Sequence, residues 1–201
     1  MAIIVDKVQK RKDIAFSCKD LFVQNGINFL TISQIAKVAG VGKGTIYEYF
    51  HNKEEIVFEL VNIMMKEHSE KLHSVLLEQK CVRDMVKKFA EFFYTDENSE
   101  LRTIYKEFIS ISLVTPNKEM LAFQTECFNN YFIWFEEIFK RGVEEQELVP
   151  QALGLTRGVF VTAEGMFIAS TSTNAIDDLE KDLNNYINNL FELIEVKCDE
   201  N

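Results

Sequence analysis

An all-α chain is predicted, on three observations. Apolar residues recur at the three-to-four spacing of helices over most of the sequence. No run of four to eight residues alternates cleanly between apolar and polar side chains with turn residues at both ends. Glycine and proline are scarce, 8 and 2 in 201 residues, too few for the turns of a β-sandwich or barrel. With 47% apolar and 27% charged residues, the chain is composed like a folded protein with a sizeable core.

The first helix is expected over 7–24, where Ile14, Cys18, Leu21 and Phe22 share one stripe. Asn25 and Gly26 end it, because both accept a left-handed C-cap. Thr31 with Gln34 forms a capping box that opens a short helix reaching about Val38. Residues 39–42 make a turn, and a second short helix follows from about Lys43 to Phe50. His51 and Asn52 interrupt it. A longer helix then starts near Lys53, with Glu54 and Glu55 suited to the positive end of its dipole. Further helices are expected near 82–94, 100–113, 118–145, 151–172 and 176–197. Pro116 and Pro150 stand at or just before two of these starts, where proline is tolerated.

Several function classes find no support. Cys18, Cys81, Cys127 and Cys198 are dispersed without C-x-x-C spacing, which suits reduced thiols rather than a metal or disulfide framework. His68 and His73 are five apart, the wrong spacing for a helical zinc site. No metal or cofactor is therefore expected. No stretch of eighteen uncharged apolar residues points to a membrane span, and the N-terminus lacks the charge order of a secretory signal. A cytoplasmic protein without a membrane partner is expected. The net charge of −10 alone argues against a nucleic-acid binder. It is uneven, however: residues 1–54 carry eight Lys/Arg and five Asp/Glu, a net of +3, which leaves −13 for residues 55–201. That asymmetry hints at an anionic partner for the N-terminal part.

Residues 31–54, TISQIAKVAGVGKGTIYEYFHNKE, give the hint its content. Ile32, Ile35, Ala36 and Ala39 form one face of the first short helix, Gly40 permits a sharp turn, and Ile46 and Phe50 anchor the second helix to the same core. This is the wiring of a helix-turn-helix, whose second helix enters the major groove. That helix carries groups suited to DNA: Lys43 for a phosphate, Gly44 for close backbone approach, and Thr45, Tyr47 and Tyr49 for hydroxyl and apolar contacts to bases. Lys53 lies at a helix N-terminus, where backbone amides also favour phosphate. Ser33, on the exposed face of the first short helix, is either a DNA contact or a solvated serine. Glu48 either accepts from a cytosine amino group or is solvated.

The segment resembles the DNA-binding domain of the TetR family of transcriptional regulators. The resemblance rests on Thr31, Ile35-Ala36, Ala39-Gly40-Val41, Lys43-Gly44-Thr45, Tyr47, Tyr49-Phe50 and Lys53-Glu54, and covers roughly residues 8–60. Gly42 departs from it, since a serine is usual there. The resemblance implies a DNA-binding domain over 1–52 and a ligand-binding and dimerisation domain over 53–201. It also implies a homodimer that binds double-stranded operator DNA, and Thr31, Ser33, Lys43, Gly44, Thr45, Tyr47, Tyr49 and Lys53 as the DNA-binding set.

In the C-terminal part, 13 of the chain's 24 aromatic residues fall between Phe89 and Phe139. Phe128, Phe132, Phe135 and Phe139 form one face of the 118–145 helix, and Cys127, Tyr131, Trp134 and Ile138 form the next, so this helix is expected to be central. The rings either fill a core or line a ligand cavity; the candidates for a cavity are Phe89, Phe93, Tyr105, Phe108, Tyr131, Trp134 and Phe167. Gly154, Gly158, Gly165 and Ala169 share an arc of the 151–172 helix, which suggests close approach by another helix. Leu179, Leu183, Tyr186, Ile187, Leu190, Phe191 and Ile194 make a stripe on the last helix, for packing within the chain or, as the resemblance implies, between two chains. The expected function is a repressor released from DNA by a small, mostly apolar or aromatic effector. An activator or co-repressor-dependent regulator is the alternative. A carrier or enzyme is a further one, although no nucleophile–base pair or phosphate loop is visible.

Overall fold

The computed structural model describes residues 6–114 and 118–196, so Pro116 and Cys198 lie outside the described residues. Among the described residues ten α-helices follow one another: α1 (Lys7–Ser17), α2 (Lys19–Asn25), α3 (Ile32–Val38), α4 (Lys43–Tyr49), α5 (Lys53–Leu77), α6 (Val82–Ala90), α7 (Ser99–Val114), α8 (Lys118–Glu144), α9 (Thr156–Ser172) and α10 (Leu179–Ile194). Among the described residues the only β-type pairing is an isolated bridge between Leu148 and Glu195, so the chain is all-α. The described residues group into two compact units. The first takes residues up to His68 with Ser99–Ala122, and the second takes Ser69–Asn98 with the residues from Phe123 onward.

The first unit is built on a buried set from α1 to α5 and α7: Ile14 and Ala15, Phe22, Ile35 and Ala36, Ile46, Ile56 and Leu60, Leu101 and Ile104. The helix expected over 7–24 is two helices. Ser17 Oγ donates to the Ile14 carbonyl at 2.8 Å, and Cys18 N–H bonds the Ala15 carbonyl at 3.1 Å, a tighter three-residue step. Such back-bonding by serine bends helices, and the apolar stripe runs through the bend unbroken because Cys18 stays buried. Asp6 starts α1 by accepting from Val8 and Gln9 N–H at 3.0 and 3.2 Å.

The second unit has one core. Val82, Met85, Val86 and Phe89 of α6 pack with Phe135, Ile138 and Phe139 of α8, Val159 of α9, and Leu183, Ile187, Phe191 and Ile194 of α10. The central place expected for the aromatic stretch of α8 is what this cluster shows. The chain end is tied back by Val149 N–H to the Ile194 carbonyl at 2.8 Å and Val196 N–H to the Glu147 carbonyl at 2.9 Å. Three expected boundaries shift. The 82–94 helix stops at Ala90 and continues as a 3-10 turn over Glu91–Phe93. The turn after Pro150 is 3-10 as far as Leu155, and α9 begins only at Thr156. The last helix begins at Leu179 because Asp178 accepts from Lys181 N–H at 2.9 Å and caps it there.

The stripe of α10 packs inside the second unit, with Leu183, Ile187, Phe191 and Ile194 all buried. Among the described residues no helix of this chain makes the close approach expected at Gly154, Gly158 and Gly165: a Cβ at any of the three would meet nothing within 4 Å. Leu153, Leu155, Val161 and Ile168 are exposed on the same segment. The segment Pro150–Ser172 is also long and apolar enough to cross a membrane by length and composition, although Arg157 and Glu164 lie in it. The expectation of no span asked for eighteen uncharged residues, a stricter condition.

Candidate nucleic-acid interface

The helix-turn-helix is set by local chemistry. Thr31 caps α3: its hydroxyl accepts from Gln34 N–H at 3.4 Å, and the Gln34 side chain accepts from Thr31 N–H at 2.9 Å. The Thr31 hydroxyl also donates to Gln34 Oε1 at 2.8 Å, so the box uses it fully in the free chain. At the other end Gly40 has φ +65°, and Val41 N–H reaches back to the Ala36 carbonyl at 3.0 Å. That is a Schellman turn, and it needs the left-handed residue that glycine supplies without strain. The turn delivers α4 with Ile46 and Phe50 buried, as their spacing predicts.

What remains outside is a polar face. Lys43 and Tyr47 are four residues apart on α4 and therefore adjacent on one side of it. Both are exposed, Tyr47 to 59%. Gly44 and Glu48 are exposed beside them, and a Cβ on Gly44 would meet nothing within 4 Å, so a flat partner can reach the backbone there. Ser33 is exposed on α3, while Thr45 and Tyr49 are half-buried.

Lys53 is turned elsewhere. Its ammonium donates to the carbonyls of Ile27, Asn28 and Leu30 at 2.8, 3.3 and 3.3 Å, which accounts for its three protons. It ties the first residue of α5 to the turn before α3. Arg11, to which sequence spacing assigns no role, binds Glu59 and the Tyr49 carbonyl. Its partners lie 48 and 38 residues away, so no local pattern marks it.

The ring residues do not form one cluster. In the second unit Phe89 lies edge-on to Phe135 with centroids 5.2 Å apart, Phe93 lies 5.4 Å from Phe167, and Tyr131 lies 6.0 Å from Trp134. Trp134 also meets the His73 ring at 5.3 Å. In the first unit Phe108 lies 5.1 Å from Phe58 and 6.4 Å from Tyr105. Burial raises the Tyr131 phenol well above its ordinary range and pushes the Cys127 thiol up to about 11. A shallow depression of about 380 Å³ in the first unit is lined by Lys12, Phe16, Ile63 and Glu67 among others, and by none of these rings. Among the described residues no three His, Cys, Asp or Glu side chains are grouped to hold a metal ion.

With this geometry in view, the likenesses to known proteins fall into place. Residues 19–60 match the family described as bacterial regulatory proteins, tetR family. An uncharacterized HTH-type transcriptional regulator of Bacillus subtilis, YhgD, is 39% identical over 64 residues, 32% of this chain and 34% of that protein. The fatty acid metabolism regulator protein of the same organism is 26% identical over 146 residues, 71% of this chain and 72% of that protein. Thus the chain aligns with about a third of the first relative and under three quarters of the second. A crystallised transcriptional regulator from Saccharomonospora viridis, in complex with choline, shares the fold over 94% of this chain and 100% of its own, with a TM-score of 0.78 at 15% identity.

Proposed function

The chain belongs to the TetR family of transcriptional regulators, and on that premise we propose that it is a repressor that binds a specific double-stranded operator and leaves it when a small, mostly apolar effector binds. The observation that carries the reading is the exposed Lys43–Tyr47 pair on α4, a helix held to its unit by the buried Ile46 within it and Phe50 at its end. A reading helix needs both: a rigid seat, and side chains free to meet base edges and phosphates.

Residues 1–52 serve as the reading head, with Lys43 and Tyr47 as its main contacts, and Ser33, Gly44, Thr45 and Tyr49 beside them. Thr31 contributes through the cap of α3. Lys53 supports the head from within. Residues 53–201 hold the effector and the dimer contact. Phe89, Phe93, Tyr131, Trp134 and Phe167 in the second unit, and Tyr105 and Phe108 in the first, are the rings from which the effector's contacts are drawn. The choline held by the Saccharomonospora viridis regulator supports a fold able to accommodate a small organic molecule. The relative concerned with fatty acid metabolism supports an apolar effector. Two copies pair through the exposed apolar face of α9, and the protein acts in the cytoplasm, where the chromosome is.

Selection of binding sequences from random duplex with the purified chain tests the first half. A two-fold symmetric consensus is expected, and recovery of no consensus overturns the reading. Adding apolar compounds to the operator complex tests the second half. Release of DNA marks a repressor with an inducer, and tighter binding marks the co-repressor-dependent alternative.

A further inference from the structure

α4 is a weak element on its own. It is seven residues long, has no side-chain cap at Gly42, and carries no basic residue in its last turn to meet its C-terminal carbonyls. One of those carbonyls is met from α1. Arg11 donates through its Nη1 to the carbonyl oxygen of Tyr49, the last residue of α4. Its Nε donates to Glu59 Oε2 on α5 at 2.8 Å. Its guanidinium carbon lies 4.2 Å from the centre of the Phe50 ring. The Arg11 side chain is 32% exposed and that of Glu59 14%. A cation at a helix C-terminus is also favoured by the helix dipole.

We propose that Arg11 is a positioning residue for DNA reading: it fixes the C-terminal end of α4 against Glu59 of α5, so that discrimination between sequences depends on it while general attraction to DNA does not. The proposal rests on α4 being the reading helix. Base-edge contacts demand a fixed approach of the side chains, whereas phosphate contacts are long-ranged and carry no sequence information. Arg11 is turned into its own unit and meets a carbonyl, a carboxylate and a ring there, so its effect on DNA passes through α4. Lysine cannot replace it. Only a planar fork can sit over the Phe50 ring while sending diverging N–H groups to a carbonyl and a carboxylate.

The test compares the full chain with Arg11→Lys, Arg11→Gln and Glu59→Gln by two measurements. The first needs no DNA. In the free chain the amides of Ile46 and Phe50, bonded to the Gly42 and Ile46 carbonyls, should exchange about tenfold faster in Arg11→Lys, as expected for loss of one charge-assisted hydrogen bond. Ile35 and Ala39 in α3 should exchange as before. The second measures binding to the selected operator and to random duplex of equal length, corrected for folded fraction. Operator binding should weaken about tenfold in all three variants, with random-duplex binding and the salt slope unchanged. Equal weakening on both duplexes with a salt slope lower by about 1 would make Arg11 a phosphate ligand and overturn the proposal. Faster exchange throughout both helices, with the ratio of operator to random binding intact, would leave it a stability role alone and also overturn it. A wild-type chain that binds both duplexes alike overturns the repressor reading itself, and is seen before any variant is compared.

Discussion

Lys43 and Lys53 carry the same charge into opposite surroundings, and substitution should separate them. Lys43 is exposed on α4, so Lys43→Ala should weaken binding to every duplex and lower the salt slope by about 1 per subunit, measured by titration across salt concentrations. Lys53 is held by three carbonyls. Lys53→Met leaves those acceptors without their donor, so it should cost roughly 1–3 kcal/mol in urea unfolding and leave the salt slope of the folded protein nearly unchanged. Cys127 offers a second prediction at this scale. Burial, with a smaller contribution from Glu126, lifts its thiol from an ordinary 9.0 to about 11. The neutral form is favoured in the folded chain, so between 9.0 and about 11 the folded state binds more protons than the unfolded one. This contribution to stability is therefore present below 9.0 and is lost as pH rises through about 11. Since the thiolate is the nucleophile, iodoacetamide at pH 8.5 should modify Cys127 much more slowly in the native chain than in urea, read by mass spectrometry of the peptide.

The elements differ in how openly the sequence declares them. Thr31-x-x-Gln34 specifies the start of α3 through bonds spanning three residues, and Gly40 specifies its end through one φ value; both were legible because their causes are local. Thr31→Ala should therefore destabilise the protein by about 1 kcal/mol in thermal unfolding, and Thr31→Ser by much less. The bend at Cys18 was not legible. Ser17 bonds the Ile14 carbonyl while the apolar period continues past it, and period alone cannot report a change of axis. The stripe of α10 was legible as something buried, but an amphipathic pattern does not say against what; the core shared with α6 and α8 buries Leu183, Ile187, Phe191 and Ile194, while Leu179, Tyr186 and Leu190 stay only partly buried. In the same way a lysine after a short helix reads as a phosphate contact, while the turn over residues 27–30 brings three carbonyls to its ammonium. The ring-rich stretch predicted a central α8 because helical period fixes which rings share a face. It could not predict that Tyr105 and Phe108 belong to a different unit from Phe89, Phe93, Tyr131, Trp134 and Phe167.

For the whole molecule, the repressor reading requires two reading heads at a fixed spacing and a ligand that disturbs it. On that reading the exposed Leu155, Val161 and Ile168 of the α9 segment, beside glycines where an added Cβ would meet nothing within 4 Å, offer a surface for a second copy. Gly158→Leu should then weaken self-association in sedimentation and operator binding together, and an unchanged dimer would place the contact elsewhere. Release by a ligand follows only if the ligand binds better to a conformation that does not fit the operator. Because that coupling is a free energy shared by two sites, it acts in both directions: operator DNA must weaken the ligand by the same factor by which the ligand weakens operator DNA. Trp134 can report both. It is the single tryptophan, half-buried, and packed against Tyr131 and His73 at 6.0 and 5.3 Å. Its emission should be blue-shifted in the free chain and should change when a DNA-releasing compound binds. Titrating that compound by Trp134 emission with and without saturating operator gives one ratio of dissociation constants, and titrating operator with and without the compound gives the other. Equal ratios are required if one equilibrium links the sites. A compound that displaces DNA with unequal ratios competes for the reading head instead, and its binding should then be abolished by Lys43→Ala and Tyr47→Ala rather than by changes at Tyr131 or Phe167.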